Sequence, residues 1–240
     1  MALTSAGSEL TRLHRAEQLR IADQIERLVR TAWPLLDPND LDATVRIWMN
    51  ALLPVIEAGR ADSAALAAAY LQTFGQAETG AEIILGQLPA APLKAAETSL
   101  RVTGPVSIKA LTANGMAPEA AVQSALQLVI GSIRRQVLDG GRDQILAAAE
   151  TDPALTGWRR IVRVGGCDFC EMLQDRGGVY SGDTVRFASH DWCSCSVEPA
   201  YDPGQRVSVM AYTASKRRIT DADRARVRTY LSENHQDQPR

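Results

Sequence analysis

The chain has 240 residues, 45% of them hydrophobic and 22% charged, with a formal net charge of -2, which is enough apolar material for one large domain or two small ones. With Gly 17, Pro 11 and Cys 4, collagen-like, disordered and disulfide-dense classes are excluded. A near-neutral total also argues against wholesale electrostatic binding of nucleic acid.

The first 155 residues read as successive helices. In Glu9 to Trp33, the apolar Leu10, Leu13, Ile21, Ile25 and Leu28 recur at helical spacing, although Glu17 falls on the same side. Pro34 should end that helix, and Asp37-Pro38 reads as an N-cap followed by proline at the first helical position. A second helix carries Leu41, Val45, Ile47, Trp48, Leu52, Leu53 and Ile56, with Pro54 kinking or breaking it and Gly59 closing it. A third begins after Asp62 and runs through the alanine-rich stretch to Gly75. Shorter helices are expected at 80–87, 91–102 and 105–113. Pro118 opens a longer one to about Val137, with a break at Gly140-Gly141 and a continuation from Arg142 to Ala149.

The character changes at Thr156. Residues 158–164 are rich in β-branched side chains and end at Gly165-Gly166, while Gly178-Val179-Tyr180 and Ser196-Val197-Glu198 read as further short strands. Thr220 with Asp223 resembles a capping box for a last helix to about Leu231. The expected organisation is a helical domain at 1–155, a small Cys/His zinc-binding β module at 156–202 and a basic helix and tail at 203–240. The fold class is mainly α with a small β-rich metal-binding module (α+β). Residues 1–155 hold 13 basic and 17 acidic side chains, and residues 156–240 hold 13 and 11. The basic excess gathers at Lys216, Arg217, Arg218, Arg224, Arg226 and Arg228, a solvated helix face or a weak contact with DNA or an acidic partner.

The longest charge-free apolar stretches, Ser63 to Ala77 and Ala120 to Ile133, fall short of the roughly 20 residues a spanning helix needs, so no membrane role is expected. The opening MALTSAGSELTRLHR turns charged before any apolar signal core, so folding in a cytoplasm with reduced thiols is expected.

The informative feature is a cluster. Cys167, Cys170, Cys193 and Cys195 all lie within 29 residues of one another with His190, as C-x2-C, nineteen residues, then H-x2-C-x-C. Such soft donors suit zinc, which takes four in a tetrahedron. A two-residue gap lets both sulfurs of the first pair converge from a tight turn, and on a straight strand Cys193 and Cys195 would share one face. Five donors compete for four places: Cys167, Cys170 and Cys193, with His190 or Cys195 as the fourth. A module of about 45 residues has too small a core to hold itself together, and structural zinc could supply the missing stability. Buried reduced thiols or later disulfides are the competing readings.

Catalysis by a Cys193–His190 nucleophile is the enzymatic alternative. No G-x-S-x-G, H-E-x-x-H or P-loop pattern occurs, and His14 and His235 have no partner motif. Trp158, Phe169, Tyr180 and Trp192 read as packing of the small module, and Asp168, Asp175, Asp183 and Asp191 as turn formers or exposed charges.

Trp158-Arg159-Arg160, Cys167-Asp168-Phe169-Cys170-Glu171-Met172-Leu173, Arg176-Gly177-Gly178-Val179-Tyr180 and His190-Asp191-Trp192-Cys193-Ser194-Cys195 together resemble the C-terminal region of MuF-like minor head proteins of tailed phages, nearest to those from phages of actinobacteria. The resemblance covers about residues 156–200, with Ala188-Ser189 where the family often has prolines before the histidine. It implies a structural virion component, made in the host cytoplasm and placed in the phage head, with the portal protein and the major capsid or scaffold protein as partners. It also implies an alternative, since related proteins sometimes serve as, or are fused to, a capsid maturation protease.

Overall fold

The computed structural model describes residues 2–162, 168–175, 187, 189–201 and 225. The chain forms two compact units, Met1–Ser208 and Val209–Arg240. Within the first, three long helices, α1 (Ser5–Ala32), α2 (Leu41–Thr79) and α5 (Pro118–Thr151), pack side by side. Two short helices, α3 (Leu93–Arg101) and α4 (Ser107–Ala113), are joined by one π-helical turn at Val102–Val106 and close one end. Strand β1 (Gly157–Ile161), helix α6 (Asp168–Asp175) and strand β2 (Ser196–Ala200) follow. The fold is mainly helical, as its sequence pattern predicts.

Local chemistry sets the helix ends. Thr4 accepts a hydrogen bond from the Gly7 amide at 2.9 Å, which caps α1. Asp40, not Asp37, caps α2, accepting from the Ala43 amide. Asp37 instead folds the preceding turn by accepting from the Asn39 amide at 2.8 Å. Gly80 ends α2 in the left-handed region at φ 74, where a side chain would be strained.

Two expected breaks do not occur. Helix α2 runs unbroken through Pro54 and Gly59, and α5 runs through Gly140-Gly141. Pro54 faces solvent, while Leu52 and Ile56 on either side are fully buried, so packing of the flanking turns outweighs the lost hydrogen bond. The glycines serve helix–helix contact. A Cβ on Gly59 would sit 3.0 Å from both Ile25 and Val137, and one on Gly140 would lie 2.3 Å from the Arg60 carbonyl oxygen. The glycines that read as terminators are therefore points of close approach between the packed helices. The stretch expected as a helix at 80–87 lies beyond the end of α2 and is not helical.

The buried face of α1 also differs from its apolar pattern. Gly7, Thr11, His14, Gln18, Ala22, Ile25 and Val29 point inward, while Leu13 and Leu28 are 45% and 50% exposed. On that face Thr11 and Gln18 find hydrogen-bond partners across the packed elements, while the buried His14 Nδ1 has none and its ring stacks on Tyr70. The Gln18 amide nitrogen donates to the Ser63 carbonyl oxygen at 2.8 Å, and the Ser63 hydroxyl donates to the Gln18 carbonyl oxygen at 2.6 Å. Matched i,i+3 and i,i+4 pairs, Glu9–Arg12, Glu17–Arg20 and Glu26–Arg30, decorate the outer face.

Two apolar clusters result. One gathers Trp33, Trp48, Leu52, Ile56, Leu100, Ile130 and Ile133, with the two indoles edge to face at 5.8 Å. The other joins Tyr70, Leu71, Phe74 and Ile145 of the helices to Trp158 and Val197 of the strands. Strands β1 and β2 pair antiparallel, with Arg160 opposite Val197 and Ile161 opposite Ser196. They are the two strands among the described residues, and every β2 side chain is buried. Gly178-Val179-Tyr180 and the basic run from Lys216 lie outside the described residues. No described helix is long and apolar enough to cross a membrane.

Candidate metal centre

The site is built against the helical body. After Phe187 the chain passes along α5 and is tied to it residue by residue. The Ser189 hydroxyl donates to Asp139 at 2.9 Å, and Arg135 donates to Asp191 at 2.8 Å. Arg142, 4% exposed, gives one guanidinium nitrogen to the carbonyl oxygens of both Cys193 and Cys195 at 2.8 Å. Its other terminal nitrogen is held by Asp139 at 2.7 Å. From the opposite side, Arg15 of α1 donates to the Ser194 carbonyl oxygen at 3.2 Å. Cationic donors thus hold a short loop whose backbone carbonyls would otherwise be buried without partners.

Trp192 occupies the turn between His190 and Cys193. Its φ of 65 is the one positive value among the described non-glycine residues, and the indole lies across Gly131, where any Cβ would come within 2.4 Å of the ring nitrogen. The Cys193 amide closes the turn on the His190 carbonyl oxygen at 3.0 Å. Trp192 is 47% exposed, so it caps the turn and does not pack a small core as expected. Trp158 does pack inside, 1% exposed.

This loop and α6 bring three of the five candidate donors together. The side-chain donor atoms of Cys170, His190 and Cys193 all lie within 4.8 Å of one another. Cys170 and Cys193 are 1% and 3% exposed, and Cys195, also buried, belongs to the same cluster. Cys167 lies outside the described residues, as do the side chains of Asp168 and Phe169. Cys170 sits on a helix, where the sequence spacing suggested a tight turn, and Cys193 and Cys195 precede β2 and do not lie on a strand.

The donor chemistry fits a soft divalent metal. Tetrahedral zinc, with sulfur at about 2.3 Å and nitrogen at about 2.0 Å, separates an S and an N donor by roughly 3.5 Å; Cys170 Sγ and His190 Nε2 are 3.5 Å apart. The other ring nitrogen, Nδ1, lies 2.7 Å from the Asp191 carbonyl oxygen. A carbonyl only accepts, so Nδ1 carries the hydrogen, and Nε2 of the neutral ring presents its lone pair to the sulfurs, the arrangement of ligating histidines.

The sulfurs are electrostatically prepared as well. A hydrogen bond from Cys195 lowers the Cys193 thiol to about 4, against the opposing effect of burial and with help from the Arg142 and Arg160 charges. Cys195, as donor to that sulfur and a buried group, is pushed well up. Arg142 and Arg160 are the residues sequence reasoning missed. Arg160 stood in the quoted Trp158-Arg159-Arg160 run, but nothing in the spacing assigns it to the thiols.

His14, considered only as a dyad partner, is instead buried and stacked on Tyr70 at 4.4 Å, and burial lowers it to about 4. Tyr70, Thr11, Glu198 and Arg159 form an adjoining polar network that links α1 and α2 to the strands.

A family model described as VG15 protein matches residues 5–222, from the start of α1 past the Cys/His cluster. No curated protein and no solved structure matches the chain. With nearly the whole chain covered, helical body and cluster alike, the protein belongs to the VG15 family, a phage-type viral protein family.

Proposed function

We propose that this chain is a MuF-like minor capsid protein acting structurally in phage head morphogenesis, with a zinc ion holding its Cys/His corner. The carrying observation is the convergence of the buried Cys170 and Cys193 with the exposed His190 in a corner clamped to the helical body, in a chain of a phage-type family. Cys195 or Cys167 is the fourth donor. Bound zinc would tie α6, the 189–195 loop and β2 to one point, a cross-link that a short hairpin with little core of its own needs. The burial of Cys170 and Cys193, 1% and 3% exposed, supports ligation over nucleophilic attack.

In this reading the protein is assembled in the host cytoplasm and resides in the phage head. The partners are the portal protein and the major capsid or scaffold protein, and a weak DNA contact falls to the basic C-terminal region. Co-sedimentation tests it: the chain should travel with portal or procapsids, and absence from both procapsids and virions overturns the reading. Incubation with scaffold and capsid precursor tests the protease alternative. Specific cleavage that disappears in Cys193→Ala while the fold survives would replace the structural reading with the enzymatic one.

A further inference from the structure

Arg160 lies on β1 with its side chain 2% exposed, and its guanidinium turns toward the cluster. Nη1 is 3.8 Å from Cys170 Sγ and 3.9 Å from Cys193 Sγ. A terminal guanidinium nitrogen carries two hydrogens, so one nitrogen can serve two sulfurs at once. The plane of the group rests 3.7 Å over the Phe187 ring, which fixes its orientation.

Neutral thiols are weak acceptors and give a buried cation little return, whereas thiolates give it a charge partner. The two arginines of the corner divide their work. Arg142 is matched by Asp139 and spends its donors on backbone carbonyls. Arg160 reaches the sulfurs.

We propose that Arg160 is the counter-cation of an anionic metal–thiolate centre, its Nη1 bridging the two sulfurs of Cys170 and Cys193. The inference rests on the zinc reading above. Three thiolates and a neutral imidazole around a divalent ion leave one negative charge. In a buried corner that charge is costly unless a fixed positive group adjoins it. The guanidinium supplies such a group. Donation to sulfur also withdraws electron density from the thiolates, so the same contact lowers their reactivity while they hold the metal. Arg160 is a positioning and charge-balancing residue; it does not itself ligate.

The test uses the full chain, zinc or Co(II) as the metal, and competition with a chromophoric chelator. Loss of such outer contacts typically costs 10- to 100-fold in metal affinity. Arg160→Met should therefore bind zinc about 10- to 100-fold more weakly than the parent chain. Its Co(II) form should show shifted sulfur-to-metal charge-transfer absorption, and its zinc-loaded thiols should react faster with a disulfide reagent. Arg160→Lys, which keeps the charge without the fork, should fall between the two and carries the test if the Met variant does not fold. Arg159→Met, on the same strand but paired with Glu198, controls for general loss of stability and should leave the Co(II) spectrum unchanged.

Affinity within twofold of the parent together with an unaltered Co(II) spectrum in the folded Arg160 variants would overturn the proposal. Failure of the parent chain to bind zinc or Co(II) would instead overturn the zinc reading on which it rests, so the two failures are separable.

Discussion

The cluster around Trp48 and the corner around Cys193 are both buried, yet they are held by different physics. At Trp48, side chains from α2, α3 and α5 meet as hydrocarbon, and area removed from water stabilises the contact. At Cys193, few apolar groups are available. The chain is fixed by guanidinium-to-carbonyl bonds from Arg142 and by Arg15, beside the converging Cys170, His190 and Cys193. The first region tolerates any condition that preserves the hydrophobic effect. The second depends on the protonation and redox state of its thiols and, on the zinc reading, on metal supply.

Four experiments sharpen or break that contrast. The largest effect should be Trp48→Ala, which empties the centre of the apolar cluster and should cost about 3–5 kcal/mol by denaturant unfolding. Its metal stoichiometry should stay at that of the parent; lost metal would mean the two regions fold as one. Next comes metal withdrawal. With free zinc about 1,000-fold above Kd, binding linkage contributes about 4 kcal/mol, worth on the order of 10 °C in Tm for a chain of this size. A chelator should abolish that increment, and a melting curve insensitive to chelator would break the comparison.

The third concerns His14, whose folded value of about 4 lies below the ordinary value of 6.5. The unfolded chain then binds the extra proton between those values, so His14 contributes fully above about pH 6.5 and loses its contribution as pH falls toward 4. The loss amounts to roughly 3 kcal/mol. Urea unfolding of the parent and of His14→Phe across that window should show the parent's slope flattened in the variant; equal slopes would refute the assignment. The smallest effect is expected from Gly140→Ala. The added methyl meets the Arg60 carbonyl oxygen at 2.3 Å and forces α2 and α5 apart, costing about 1–3 kcal/mol. An unchanged unfolding midpoint would show that the helices do not depend on that approach.

Much of this was legible before any coordinates. Helical spacing located α1, α2, α3, α4 and α5, and the Cys/His spacing singled out five donors, of which Cys170, His190 and Cys193 converge among the described residues. Helix continuity is not legible at Gly59 and Gly140-Gly141, because a glycine that ends an isolated helix can be the contact point of a packed one, nor at the solvent-facing Pro54, where the buried flanking turns hold the helix. Leu13 and Leu28 fit an apolar stripe, but Thr11 and Gln18 face inward because polar partners await them on α2 and β2, and His14 because its ring stacks on Tyr70.

The candidate site divides along the same line. The types and order of its donors are written in the chain, since only thiol and imidazole groups at short spacing offer soft ligands. The setting of those donors was decided by tertiary structure. Arg142 on α5 and Arg160 on β1 lie 51 and 33 residues from Cys193, and no local pattern relates them to it. Charge and hydrogen bonds act through space, so the sequence by itself determined which atoms could bind a metal, and the fold determined which charges surround them.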